Sequence, residues 1–204
     1  MTIAAQSVSD FLGDLAAKTP APGGGATACV AGALAAAQAE MVVAFSAGKK
    51  VLAEHQGMLA ATGPRLSNLR RLLLVLAEED AAAYAALVEI QQGAFVSSAD
   101  GAETREERLR AAAARCIQIP LFALAACVEA QEIAARLKGK SNAHLASDLE
   151  IAAALAATAG RACAINVRVN LPLITDASAR GGYERDLARE LEQAARHGGA
   201  FAVS

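Results

Sequence analysis

The chain has 204 residues, a formal net charge of −2, and 54% hydrophobic but only 3% aromatic residues, with no tryptophan. Length of this order fits one domain with a core of its own, and the near-neutral charge excludes a general nucleic-acid binder, which would be basic. Much of the hydrophobic content is alanine, the best helix former and a poor filler of sheet faces, so composition alone points to closely packed helices.

Met1 to Asp10 lacks the basic start and apolar stretch of a signal peptide, which predicts a cytoplasmic protein. The first helix is expected over Ser7–Ala17, with Ser7 and Asp10 spaced as a capping pair. Lys18 to Gly25 follows as an irregular stretch in which Pro20 and Pro22 fix φ and Gly23, Gly24 and Gly25 release it. Glycines at a helix start leave backbone N–H groups free at the positive end of the helix dipole, a site for an anion or a carbonyl oxygen; a plain tight turn fits the same residues. No lysine stands at P-loop spacing.

A long apolar helix then runs to about Ala47, with Gly48 as its stop. Its segment Ala26–Phe45 is nearly uncharged, but alanine-rich and interrupted by Gln38 and Glu40, so it reads as a buried central helix rather than a membrane span. Lys49 and Lys50 open a short polar helix to about Thr62. Gly63-Pro64 is expected to break it, with Pro64 in the first turn of a further helix to about Gln92. On that helix Leu66, Leu69, Leu73, Leu76, Tyr84 and Leu87 form one apolar row, and Asp80 interrupts it. A carboxylate on a core face is costly, so Asp80 either lies at the edge of the row, is a structural acid paired with an arginine, or is a functional acid.

Gly93–Ala102 reads as a loop. Thr104 and Glu107 form a capping box for a helix to Leu137, with a kink expected at Pro120. After a polar connection over 138–143, a helix of small residues is expected from His144 to Leu171, ended by Pro172, and a charged amphipathic helix from Tyr183 to Arg196. Ser147 and Asp148 lie at one end of the small-residue helix, Asn166 and Asn170 at the other. Asp148 and Asn166 are thus about 27 Å apart on a straight helix and cannot share one small site within it. Asn166 and Asn170, one turn apart, suit either a ligand or a neighbouring helix.

Period-two runs of strand formers are missing, so the expected fold is all-α, a bundle of six to seven helices without β-sheet, over a single domain 1–204. Cys29, Cys116, Cys127 and Cys163 lack CxxC pairing and read as buried thiols. His55, His144 and His197 share no ligand spacing, so no metal site is expected.

Taken in order, Phe11-Leu12, Leu15-Ala16, Thr19-Pro20-Ala21-Pro22-Gly23-Gly24-Gly25, Gly32-Ala33-Leu34, Gly48-Lys49-Lys50, Asp80 with Ala83-Tyr84, Pro120-Leu121, Ser147-Asp148, Asn166-Val167 and Asn170-Leu171 resemble the formiminotetrahydrofolate cyclodeaminase and methenyltetrahydrofolate cyclohydrolase family. The chain departs from the family pattern at Val51-Leu52, at Gln91–Phe95 and at Lys140–His144. The resemblance implies an all-helical homodimer acting on a tetrahydrofolate derivative as substrate, with no prosthetic group. It implies that Asp80 is the acid/base residue and that Pro22, Gly23, Gly24 and Gly25 lie at the folate pocket. It further places Lys49 and Lys50 there as a basic pair, with Ser147, Asp148, Asn166 and Asn170 as substrate-binding positions. Two reactions fit, hydrolysis of the methenyl bridge and ammonia-releasing ring closure. A non-catalytic homologue is the reading from another class. No membrane or nucleic-acid partner is expected.

Overall fold

The computed structural model describes residues 2–93 and 104–198, which form six α-helices and no strand. Their order is α1 (Val8–Ala16), α2 (Gly24–Ala44), α3 (Gln56–Gln91), α4 (Arg105–Leu137), α5 (Ala146–Asn170) and α6 (Ala177–Gly198). Helices α2 to α5 make an up-down-up-down bundle. Helix α2 packs against both α3 and α5, α4 packs against the same two, and α6 lies along α4. This is the arrangement expected of long helices joined by short turns, each with an apolar face to bury.

The core is built from many small residues and a few large ones. Leu59, Leu66, Leu73, Ile117, Leu124, Ile133, Leu137, Val42 and Val167 are fully buried, and alanines of α2, α4 and α5 fill the space between them. Each large aliphatic side chain so buried contributes about 1.5–3 kcal/mol, and the alanines let the helix axes approach closely. Helices α2 and α4 are long and apolar enough to cross a membrane by length and composition, yet 56% and 67% of their apolar windows are buried inside the bundle. Their apolarity is accounted for by the core they build.

Several local expectations are met. The Ser7 hydroxyl accepts from the Asp10 N–H at 3.1 Å, and the Thr104–Glu107 capping box closes in both directions. Gly48 takes φ +73° after α2, a conformation that favours glycine. All four cysteines are buried free thiols.

Three boundaries differ. Gly63-Pro64 does not break the chain: α3 runs through it as one helix of 36 residues. Proline removes a single N–H, and the burial of Leu59, Thr62 and Leu66 on either side outweighs that loss. The polar segment after Lys49 is a 3-10 turn, Lys50–His55, leading into that helix. The last helix starts at Ala177 rather than Tyr183, because Asp176 caps it by accepting from the Ala179 N–H at 2.6 Å. Helix α4 passes Pro120 without interruption. Apart from Gly93, the loop expected over Gly93–Ala102 lies outside the described residues.

Candidate active site

Asp80 sits on α3 where the leucine row gives way to smaller residues. Leu66, Leu69, Leu73, Leu76 and Leu87 are buried as the spacing predicts, but Tyr84 is 45% exposed, a correction to its expected place in the core row. The neighbouring acids face elsewhere: Glu79 pairs with Arg115, and Glu78 accepts from the Ala4 N–H at 3.2 Å. Among the described residues no arginine forms an ion pair with Asp80. Its carboxylate accepts from the Ala26 backbone N–H and from the Asn166 side-chain amide, the latter at 3.2 Å.

The Ala26 N–H belongs to the first turn of α2, whose N-cap is Gly23. The anion drawn to this helix start is therefore Asp80 of the same chain, which offsets one unsatisfied N–H and meets the positive end of the dipole. Gly25 makes the approach feasible. A Cβ built there would lie 2.1 Å from Asp80 Oδ1 and 2.3 Å from Asn166 Nδ2, so any side chain would displace both. Burial raises the Asp80 carboxyl above the ordinary carboxylate range, and the Ala26 and Asn166 hydrogen bonds partly oppose it. An acid with a raised pKa and no ionic partner is suited to giving and taking protons, and to facing a cationic substrate.

Asp80 opens on a cavity of about 280 Å³ whose walls include Pro20, Ala21, Gly23, Gly24, Gly25, Tyr84, Cys116, Asn166, Val169 and Asn170. Asn170 also donates to the Cys116 carbonyl at 2.8 Å, tying α5 to α4 beside the pocket. The Cys116 thiol is pushed up to about 11 by burial and by the nearby Asp80 charge, so it stays protonated at neutral pH. The buried Cys29 and Cys163 thiols are both raised, Cys29 first by its neighbour Cys163 and then by burial, and Cys163 first by its neighbour Cys127, so both stay protonated at neutral pH. A larger cavity of about 650 Å³ between α4, α5 and α6 holds none of Asp80, Asn166 or the glycines.

Among the residues singled out by sequence, Asp80, Gly23, Gly24, Gly25, Asn166 and Asn170 come together here. Pro22, whose bond to Ala21 is cis, stands beside the lining in the chain. Lys49, Lys50, Ser147 and Asp148 do not join them within one copy. The lysines follow the far end of α2, a helix of 21 residues or about 30 Å. Asp148 lies at the matching end of α5, accepting from Gln38 Nε2 at 2.8 Å. Tyr84 and Cys116 were missed by sequence reading. Tyr84 had a signal, its four-residue offset from Asp80; Cys116 had none, because only the fold brings α4 to α3. Among the described residues no three His, Cys, Asp or Glu side chains form a group that could hold a metal ion.

An antiparallel helical bundle with one partly buried acid capping a glycine-rich helix start, and a cavity opening beside it, defines the class of helical-bundle protein that the chain represents. The sequence profile of the formiminotransferase-cyclodeaminase family matches residues 7–189, and the chain belongs to that family. It is 28% identical over 196 residues to a methenyltetrahydrofolate cyclohydrolase of Methylorubrum extorquens, covering 96% of this chain and 92% of that protein. It is also similar to the crystal structure of formiminotetrahydrofolate cyclodeaminase from Thermotoga maritima, with a TM-score of 0.86 and 26% identity over 98% of this chain and 95% of that one.

Proposed function

We propose that the chain is a folate one-carbon enzyme that hydrolyses 5,10-methenyltetrahydrofolate to 10-formyltetrahydrofolate, working as a single domain over 1–204 without a prosthetic group. The observation that carries the proposal is Asp80, a partly buried carboxylate with hydrogen bonds but no cation of its own among the described residues, opening on the pocket beside Gly25. The methenyl bridge is an amidinium cation, and its positive charge takes the ionic place that no arginine or lysine fills among the described residues. Ionised Asp80 removes a proton from water as the water oxygen bonds to the amidinium carbon. The tetrahedral carbon then loses its bond to N5, which takes the proton back from Asp80, while the carbinol hydroxyl gives its remaining proton to solvent as the C=O forms; one proton is released overall and the formyl group stays on N10. The name of the Methylorubrum relative, matched over nearly the whole of both chains, favours this reaction.

The Thermotoga structure favours a second reading, formiminotetrahydrofolate cyclodeaminase. There N10 attacks the formimino carbon and ammonia leaves with a proton from the same acid. Loss of methenyltetrahydrofolate absorbance, measured beside ammonia release from the formimino compound, separates the two. Hydrolysis without ammonia release is the expected result. Ammonia release without hydrolysis establishes the second reading, and neither activity overturns both in favour of a non-catalytic homologue.

The proposal includes a cytoplasmic homodimer. Leu34 and Phe45 on and just after α2, and Ile151, Ile165 and Val169 on α5, are more than half exposed. On α5 Ile151 follows Asp148 by three residues and Val169 follows Ile165 by four, and the fourteen residues from Ile151 to Ile165, about four turns, keep all of them on one face. In this reading Lys49 and Lys50 attract the glutamate carboxylates of a substrate bound in the partner copy, since within one copy they lie at the far end of α2. A monomer mass by light scattering at micromolar concentration contradicts the dimer.

A further inference from the structure

Resting on the folate reading, we infer that Tyr84 is the specificity-determining ring platform of the pocket, its face packing on the flat ring system that adjoins the one-carbon bridge. The chain holds only five phenylalanines, two tyrosines and no tryptophan, so an aromatic ring is scarce here. Phe45 and Phe122 are more exposed, but among the described residues Tyr84 is the aromatic on the wall of the Asp80 cavity, 45% exposed. It lies one turn beyond Asp80 on the same helix, about 6 Å along the axis. A substrate carbon held at the Asp80 carboxylate therefore puts the ring fused to that carbon within reach of the Tyr84 face. The rest of the wall is glycine, alanine, proline, cysteine, asparagine and Val169, none of which offers a flat apolar surface of that size. The other tyrosine, Tyr183, has its hydroxyl engaged by Gln118 at 3.1 Å, whereas no described residue holds the Tyr84 hydroxyl. What Tyr84 presents to the cavity is its ring.

A ring exposed on a cavity wall keeps apolar surface in water, and stacking on a bound heterocycle covers it with no demand on base-edge hydrogen bonds. Tyr84 thus acts on binding, and Asp80 on chemistry.

The test is to measure the affinity for 5-formyltetrahydrofolate, KM, kcat and the melting temperature of the full chain as parent, Tyr84→Leu and Tyr84→Phe. Tyrosine emission is a direct readout, because no tryptophan masks it. Expected are quenching of the parent by the ligand and a loss of affinity and rise in KM of about tenfold or more in Tyr84→Leu. Its kcat stays within a few-fold and its melting temperature holds, and Tyr84→Phe recovers most of the affinity. Unchanged affinity in Tyr84→Leu overturns the assignment, as does a loss equal in Tyr84→Phe and Tyr84→Leu, which would make the hydroxyl the active part. A parent that binds no 5-formyltetrahydrofolate at all overturns the folate reading itself, and the assignment with it.

Discussion

The two ends of the bundle are built from the same helices and treat their polar groups in opposite ways. At the far end, the buried Ser46 hydroxyl donates to the Val42 carbonyl at 2.6 Å and accepts from the Asn142 N–H at 2.8 Å. The Gln56 amide there bridges the Gly48 N–H at 2.8 Å and the carbonyls of Ser46 and Leu52 at 3.3 and 3.2 Å. These polar groups are spent on each other, and the end is tied shut. At the near end the glycine-rich start of α2, the last third of α3 and the end of α5 leave a cavity with a raised carboxyl and, among the described residues, no countercharge. Satisfied hydrogen bonds at one end hold the helices in register, and that register carries Asp80 to the other end at a cost in stability, as is common at sites of chemistry.

The largest effect separating the ends comes from Asp80→Asn, which keeps shape and hydrogen bonding but removes proton transfer. The expected fall in kcat is about 10²–10⁴-fold. The variant also changes stability in a defined direction. The Asp80 pKa is raised in the folded state, so ionisation there opposes folding; the cost is absent below the ordinary carboxylate range and grows as pH rises through the raised value. Melting temperature in Asp80→Asn is therefore higher than in the parent at neutral pH, and the gain vanishes at acid pH, as thermal unfolding across pH will read.

Next in size is a pair of glycine changes. Gly25→Ala drives a methyl into Asp80 and Asn166, and displacement of the acid costs about 10²-fold in turnover. Gly57→Ala, at the tied end, meets nothing within 4 Å and leaves turnover at the parent level. Equal losses from both would erase the distinction between the ends. A smaller effect is expected of Asn166→Ala. It removes a hydrogen bond that lowers the Asp80 pKa, so the acid limb of the rate profile moves to higher pH and turnover drops about tenfold. The smallest belongs to Lys49→Ala with Lys50→Ala: a few-fold rise in KM that fades at high salt, with kcat unchanged. An unchanged KM at low salt removes the lysines from the substrate path.

How far this was legible in sequence depends on the range of the interaction. Caps at Ser7 and Thr104 and the leucine row of α3 act over three or four residues, and spacing exposes them. Asp80 was legible because it broke that row, and Gly25 because glycines cluster ahead of a helix. The continuity of α3 through Pro64 was not, since local chemistry argued for a break and packing on both sides overrode it. Tyr84 was assigned to the core because spacing gives the side of a helix but not where the neighbouring helices stop covering it. The gathering of Cys116 with Asn166, and the separation of Lys49 from Asp80, depend on α2, α3, α4 and α5 lying antiparallel, which no local pattern states.

The central claim is that one partly buried carboxyl, with no countercharge among the described residues, moves the protons. Its most direct test is kcat/KM for methenyltetrahydrofolate from about pH 4 to about pH 8, corrected for uncatalysed hydrolysis, in the parent and in Asp80→Asn. The expected parent profile loses activity toward acid through a single ionisation above the ordinary carboxylate range, and the residual activity of Asp80→Asn lacks that limb. The same acid limb in both proteins would contradict the account, because the titrating group would then lie elsewhere.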